Sequence, residues 1–212
     1  TNKLLSKFAK KSFQAFDNTF DKKVNAITTG NPILFKPKSK NTPKLVQNLL
    51  ILGGSLGAKK INETIAKIKT PLNIWHQTGA KHNEEVKLMY DKDIHPSLKI
   101  EDFIEDMAEA YAWADIVICR SGAMTISELI ATNTLAILVP FPYAVDNHQT
   151  MNAQYLSKNG AGILIEESIF NAELIDKEIL ALNSEKLQEM TKNLELLSVA
   201  NPEMIIADYL FG

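Results

Sequence analysis

Short apolar runs alternate with stretches of helical periodicity along most of the chain. Residues 45–52 read LVQNLLIL and end on Gly53-Gly54. Further apolar runs follow at 72–75, 98–100, 115–119 (DIVIC), 135–139 (LAILV) and 163–165 (ILI). Near-continuous runs of this kind suit strands buried on both faces of a parallel sheet, not half-exposed antiparallel strands. Between them, residues 58–69 place Ile61, Ile65 and Ile68 at helical spacing, and 107–113, 123–132 and 149–159 are further predicted helices. Parallel strands need crossovers of this length, and right-handed winding then gives an α/β sandwich. Residues 171–211 are helical by pattern, with Pro202 opening a last helix. Residues 30–32 and 35–43 read as a loop before the first core strand. Residues 2–16 carry Lys3, Lys7, Lys10 and Lys11 and no acid, with Leu4, Leu5, Phe8 and Phe13 roughly on one side. This predicts a basic amphipathic helix, lying on an anionic membrane or packed on its own protein with its lysines in water.

Composition narrows the class. Of 212 residues, 45% are hydrophobic and 23% charged, as in an ordinary globular chain. The net charge of −2 provides no overall basic field for nucleic acid. One cysteine, Cys119, excludes a disulfide framework and a cysteine metal cluster, and reads as a small core residue in a reducing compartment. The longest uncharged stretch, 129–145, is broken by Thr132, Asn133, Thr134, Pro140 and Pro142. It is a buried strand with its flanks, since a spanning helix needs about 20 mostly apolar residues. The start shows no apolar signal core. It opens at Thr1 without Met, inside the predicted first helix.

Three loops carry the candidate chemistry. The first, Gly53-Gly54-Ser55-Leu56-Gly57-Ala58, joins the first core strand to its helix. Glycines permit a sharp turn and close backbone approach, and free amides at a helix start attract an anion such as phosphate. The loop is neither G-x-G-x-x-G nor a Walker sequence. No acid ends the second strand, Trp75-His76-Gln77-Thr78-Gly79, where a NAD-type site would want one. A plain strand-to-helix turn is the alternative. The second loop, Arg120-Ser121-Gly122-Ala123-Met124-Thr125, again puts small residues and hydroxyls at a helix start, and Glu128 follows three residues after Thr125. That spacing is either a capping box or a carboxylate held at a cleft to accept from adjacent hydroxyls, as on a ribose. The third loop runs from Pro140-Phe141-Pro142 through His148 and Gln149. His148 is a possible base, and a solvated helix start is the alternative. In a parallel sheet all three loops share the carboxyl edge, where ligands of open α/β sheets bind. Together they suggest a nucleotide diphosphate.

Read together, GGSLGA, IWHQTG, FIEDMAEAYAWADIVICRSGAMTISE and the PF…DNHQTMNA segment closely resemble the MurG family of peptidoglycan N-acetylglucosaminyltransferases. The resemblance implies the GT-B fold, two Rossmann-like domains facing a cleft, with this chain the C-terminal, donor-binding half. Residues 1–43 would be the linker from the N-terminal half, 44–184 the Rossmann-like domain with helices on both faces, and 185–212 C-terminal helices that fold back towards the other half. The implied reaction moves GlcNAc from UDP-GlcNAc, with inversion, to lipid I (undecaprenyl-diphospho-MurNAc-peptide), giving lipid II at the inner face of the cytoplasmic membrane.

The same resemblance assigns roles. Ser55, with Gly54 and Gly57, would contact the donor diphosphate. Ile104 would contact uracil through its backbone. Ala123, Met124, Thr125, Ile126, Ser127 and Glu128 would line the donor site, with Glu128 accepting from the ribose. Gln149 and the His148 position would contact the GlcNAc hydroxyls. Two positions depart from the family. His148 stands where a glutamine is usual. Leu34, in Gly30-Asn31-Pro32-Ile33-Leu34, stands where an arginine is usual. Lys36 as a point charge, weaker donor binding, or reliance on the loop amides are the alternatives there. No metal is required at the diphosphate by this resemblance, and Asp91-Lys92-Asp93 reads as surface. The general base would belong to the N-terminal half. The rival readings are a stand-alone donor-binding subunit and a non-catalytic nucleotide-sugar-binding module.

Overall fold

The computed structural model describes residues 2–6, 8–17, 19–20, 22–54, 57–144 and 147–211. Its centre is a six-stranded parallel sheet built from β3 (Asn48–Leu52), β4 (Asn73–Gln77), β5 (Ser97–Glu101), β6 (Ile116–Cys119), β7 (Leu135–Leu138) and β8 (Ile163–Leu164). The order across the sheet is β5-β4-β3-β6-β7-β8. Counted from β3, this is 3-2-1-4-5-6, the order of the dinucleotide-binding doubly wound fold. All four residues of β6 and of β7 are buried, as are the last four of β3. Successive side chains point to opposite faces, so both faces of these strands are covered. The covering helices are α2 (Lys59–Ile65), α3 (Asn83–Met89), α4 (Met107–Trp113), α5 (Ala123–Ala131), α6 (His148–Lys158), α7 (Ala172–Leu180) and α8 (Ser184–Leu196).

The predicted strands and helices are found with ends moved by a few residues. The exception among the crossovers is α3, which the pattern did not announce. Only Asn83 and Val86 of its seven residues are buried, so no apolar stripe marks it.

The N-terminal expectation is corrected. Among the described residues of 2–16, helix is confined to α1 (Asn2–Leu5), and Phe13–Gln14 form a short strand, β1. β1 pairs in parallel with β2 (Ile27–Thr28), and the Gln14 amide donates to Thr28 Oγ1 at 2.9 Å. Four lysines without an acid leave like charges one helical turn apart, which opposes helix. Phe16 is drawn into the core, where it meets Tyr155 at 4.9 Å between ring centroids.

The segment before the sheet is fastened by its polar groups. Asn31 Nδ2 donates to Ser127 Oγ at 3.1 Å. The Lys40 ammonium donates to the Tyr111 and Ala114 carbonyls at the end of α4, where cations are favoured. The expected tail divides. α8 buries Leu187, Met190 and Leu194 in the main core, whereas α9 (Pro202–Phe211) buries no residue. No helix among the described residues is long and apolar enough to cross a membrane.

Candidate functional site

The strand order reverses between β3 and β6, whose last residues, Leu52 and Cys119, lie side by side. The loops leaving these two strands therefore diverge to opposite faces and leave a crevice at the carboxyl edge. In the first loop, Gly53 N–H donates to Gln77 O and Gly57 N–H to Gly54 O, each at 3.0 Å. Gly54 and Gly57 have φ of +73° and +76°, the left-handed region that favours glycine. A Cβ at Gly57 would lie 2.5 Å from Thr78 O. Ser55, the expected diphosphate contact, lies outside the described residues.

The second loop is short. Gly122 caps α5 in extended conformation without a side-chain cap hydrogen bond, and no acid stands in the first turn. The first-turn amides of α5 thus have no side-chain cap, a setting that favours an anion. The capping-box alternative for Glu128 fails. The helix starts at Ala123, three residues before a capping-box helix would begin, and Glu128 sits well inside it. Its carboxylate instead accepts from the Tyr111 hydroxyl at 2.8 Å. Burial pushes the Glu128 pKa up, and the Tyr111 hydrogen bond pulls it back. A half-buried carboxylate with one lone-pair direction taken and others open is suited to accept from hydroxyls.

The third loop is locked to the second. Ser121 Oγ donates to the Gln149 carbonyl at 2.8 Å, and Asn152 Nδ2 donates to Ser121 O at 3.0 Å. The Phe141 N–H donates to Gln149 Oε1 at 2.9 Å. His148 is exposed at the first residue of α6.

Arg120 ties these parts together, and the sequence did not single it out. Its guanidinium donates to the Val139 and Pro140 carbonyls at 3.1 and 3.2 Å, pairs with Glu167 beyond β8, and lies 5.3 Å from the Phe141 ring centroid. Arg120, Glu167, Phe141, Gln149, Gly57 and Ala58 line one cleft of about 570 Å³. Arg120→Lys should cost about 1–2 kcal/mol, because an ammonium cannot reach two carbonyls and Glu167 together. Urea unfolding measures this; a loss under about 0.5 kcal/mol, the size of an ordinary surface change, would remove the clamp from the argument.

Among the described residues, Gly57 and Gln149 are the expected site residues that line this cleft, and the others lie outside its lining. Ala123 and Met124 are exposed at the start of α5, and Thr125 is half-buried. Ile126 is wholly in the core, so only its backbone is available to a ligand. Ser127 is buried, bonds back to Ala123 O at 3.0 Å and faces a second cavity with Asn31, Leu34 and Pro202. Ile104 buries its side chain just past β5. Leu34, 97% exposed, and Lys36 line that second cavity, which shares no residue with the Arg120 cleft. Asp91 and Asp93 are exposed before β5, at the opposite edge of the sheet. Among the described residues, no three His, Cys, Asp or Glu side chains are grouped to hold a metal ion.

The family model for the glycosyltransferase family 28 C-terminal domain matches residues 48–204. A UDP-N-acetylglucosamine–N-acetylmuramyl-(pentapeptide) pyrophosphoryl-undecaprenol N-acetylglucosamine transferase from Vesicomyosocius okutanii is 50% identical, covering 99% of this chain and 60% of its own length. The protein of the same name from Methylococcus capsulatus is 40% identical, over 94% of this chain and 57% of its own. The crystal structure of Acinetobacter baumannii MurG superposes with a TM-score of 0.83 at 34% identity, covering 98% of this chain and 62% of that one. The glycotransferase of kitacinnamycin shares the fold alone, with a TM-score of 0.60 at 14% identity. The chain thus spans about 60% of the length of the relatives it matches.

Proposed function

The chain belongs to glycosyltransferase family 28 as its C-terminal domain, and from that membership we propose that it forms the donor wall of a transferase. The transferase moves N-acetylglucosamine from UDP-N-acetylglucosamine to the lipid-linked muramoyl-peptide acceptor of peptidoglycan synthesis. The observation that carries this reading is the meeting of the β3, β6 and β7 loops at the point where the strand order reverses. Glu128 accepts from the ribose hydroxyls, the Ile104 backbone meets the uracil, and Gln149 with the exposed His148 meets the sugar. As the sugar–phosphate bond breaks, negative charge grows on the departing diphosphate. The uncapped start of α5, together with the glycine loop, supplies backbone amides to that charge and so lowers the barrier. The base that takes the acceptor proton, and the acceptor site, belong to the part of the relatives that this chain does not span. The acceptor's lipid places the reaction at the cytoplasmic face of the membrane.

The test is titration of the chain with UDP and UDP-N-acetylglucosamine by calorimetry or NMR. Weak binding of both is expected, with no turnover of the lipid acceptor by this chain alone. Glu128→Ala should weaken UDP by roughly 10- to 100-fold, the worth of hydrogen bonds to a charged acceptor. No binding of UDP at millimolar ligand overturns the reading. Unchanged affinity in a folded Glu128→Ala variant removes the ribose role.

A further inference from the structure

Beneath the glycine loop lies a buried polar chain that no ligand can touch. His76 of β4 is 0% exposed, Asn62 of α2 is 1% exposed, and Tyr90, at the end of α3, is 6% exposed. Asn62 Nδ2 donates to the Thr78 carbonyl at 3.0 Å. Its Oδ1 therefore faces His76 Nε2, 3.0 Å away, and can only accept. That requires the proton of the neutral imidazole on Nε2. His76 Nδ1 is then an acceptor, and the Tyr90 hydroxyl, 2.8 Å away, donates to it. Every polar atom in the series has one role: Tyr90 to His76, His76 to Asn62, Asn62 to Thr78. Burial holds His76 down to about 3 and raises the Tyr90 phenol, so neither group changes its role near neutral pH.

The series ends where the glycine loop rests. The Thr78 carbonyl that Asn62 fixes is the atom a Gly57 Cβ would strike at 2.5 Å. A Cβ on Gly53 would lie 3.3 Å from Asn62 Oδ1 itself. Both ends of the loop thus sit against groups whose positions the buried chain sets. We propose that His76 and Tyr90 are positioning residues for the donor diphosphate, acting through Asn62 and the Thr78 carbonyl on the backbone of the glycine loop. This rests on the donor-site reading above. Removing the His76 donor leaves Asn62 Oδ1 unpaired and lets the amide turn, which frees the Thr78 carbonyl and the loop above it.

The experiment compares UDP with uridine on the full chain, with thermal unfolding measured alongside. In His76→Leu, the UDP dissociation constant should rise about tenfold while that for uridine stays within about twofold. His76→Gln, whose amide can donate to Asn62 Oδ1, should recover most of the UDP affinity. Tyr90→Phe deletes one hydroxyl and no packing volume, and should show the same selective loss in smaller measure should the leucine variant fail to fold. A merely structural role would lower stability and move both ligands together, or neither. Equal changes for UDP and uridine, or none, in folded variants overturn the proposal while leaving the donor site intact. Wild-type chain that binds neither ligand overturns both.

Discussion

Gly57→Ala should destabilise the chain by about 3 kcal/mol and abolish measurable UDP binding. Two costs add. A residue with a Cβ held at φ +76° costs about 1–2 kcal/mol. The added carbon would also lie 2.5 Å from Thr78 O and 2.7 Å from His82 Cδ2. The His82 ring can swing away, being the end of a side chain. The carbonyl cannot, because Asn62 Nδ2 holds its oxygen and the Thr78 N–H donates to Glu101 O at 3.0 Å. The loop must lift instead, an overpacking cost of about 1–3 kcal/mol. Gly54→Ala is the control. Its φ is +73°, yet nothing lies within 4 Å of its Cβ, so only the backbone cost of about 1–2 kcal/mol applies. Urea unfolding of the two variants separates strain from contact. A Gly57→Ala loss no larger than that of Gly54→Ala would show that the loop is not seated on Thr78.

The sheet was legible in the sequence because its middle strands are buried on both faces. Leu49, Leu50 and Ile51, like Ile116, Val117 and Ile118, are fully enclosed, and such burial leaves an unbroken apolar run. The same logic located the three loops, since each follows a run. What escaped depended on partners distant in the chain. The spacing of Glu128 from Thr125 left a cap and a cleft carboxylate as alternatives, and its partner, Tyr111 on a different helix, was not visible. Arg120 stood in a small-residue loop with no sign of Val139, Pro140 or Glu167 around it. His76 read as the end of a strand, and nothing local tied it to Asn62 or Tyr90. The N-terminal segment misled through its apolar spacing alone. Pairing of Phe13–Gln14 with Ile27–Thr28 outweighed a lysine-rich helical pattern.

Acidification from pH 6.5 to 4 should cost about 3 kcal/mol of folding stability through His76 alone. In the folded chain this imidazole stays neutral down to about 3, because it is buried among groups that satisfy its neutral form. In the unfolded chain it titrates near the ordinary value of about 6.5. Between those two values the unfolded state binds the extra proton and the folded state does not. Stability therefore falls as pH falls, by up to about 1.4 kcal/mol per pH unit, and is independent of this group above about pH 7.5. Burial holds His95 low as well, which adds loss of the same sign. Glu128 works the other way, since its raised pKa favours proton uptake by the folded state at the acid end. The His76 share is isolated by measuring unfolding free energy against pH for wild type and His76→Gln. The two curves should run parallel above about pH 7.5 and converge at about 1.4 kcal/mol per unit between pH 6 and 4, as wild type loses what the glutamine cannot. Curves that stay parallel throughout would mean that His76 takes up its proton in the folded state. On protonation Nδ1 could then no longer accept from Tyr90, although Nε2 would still donate to Asn62.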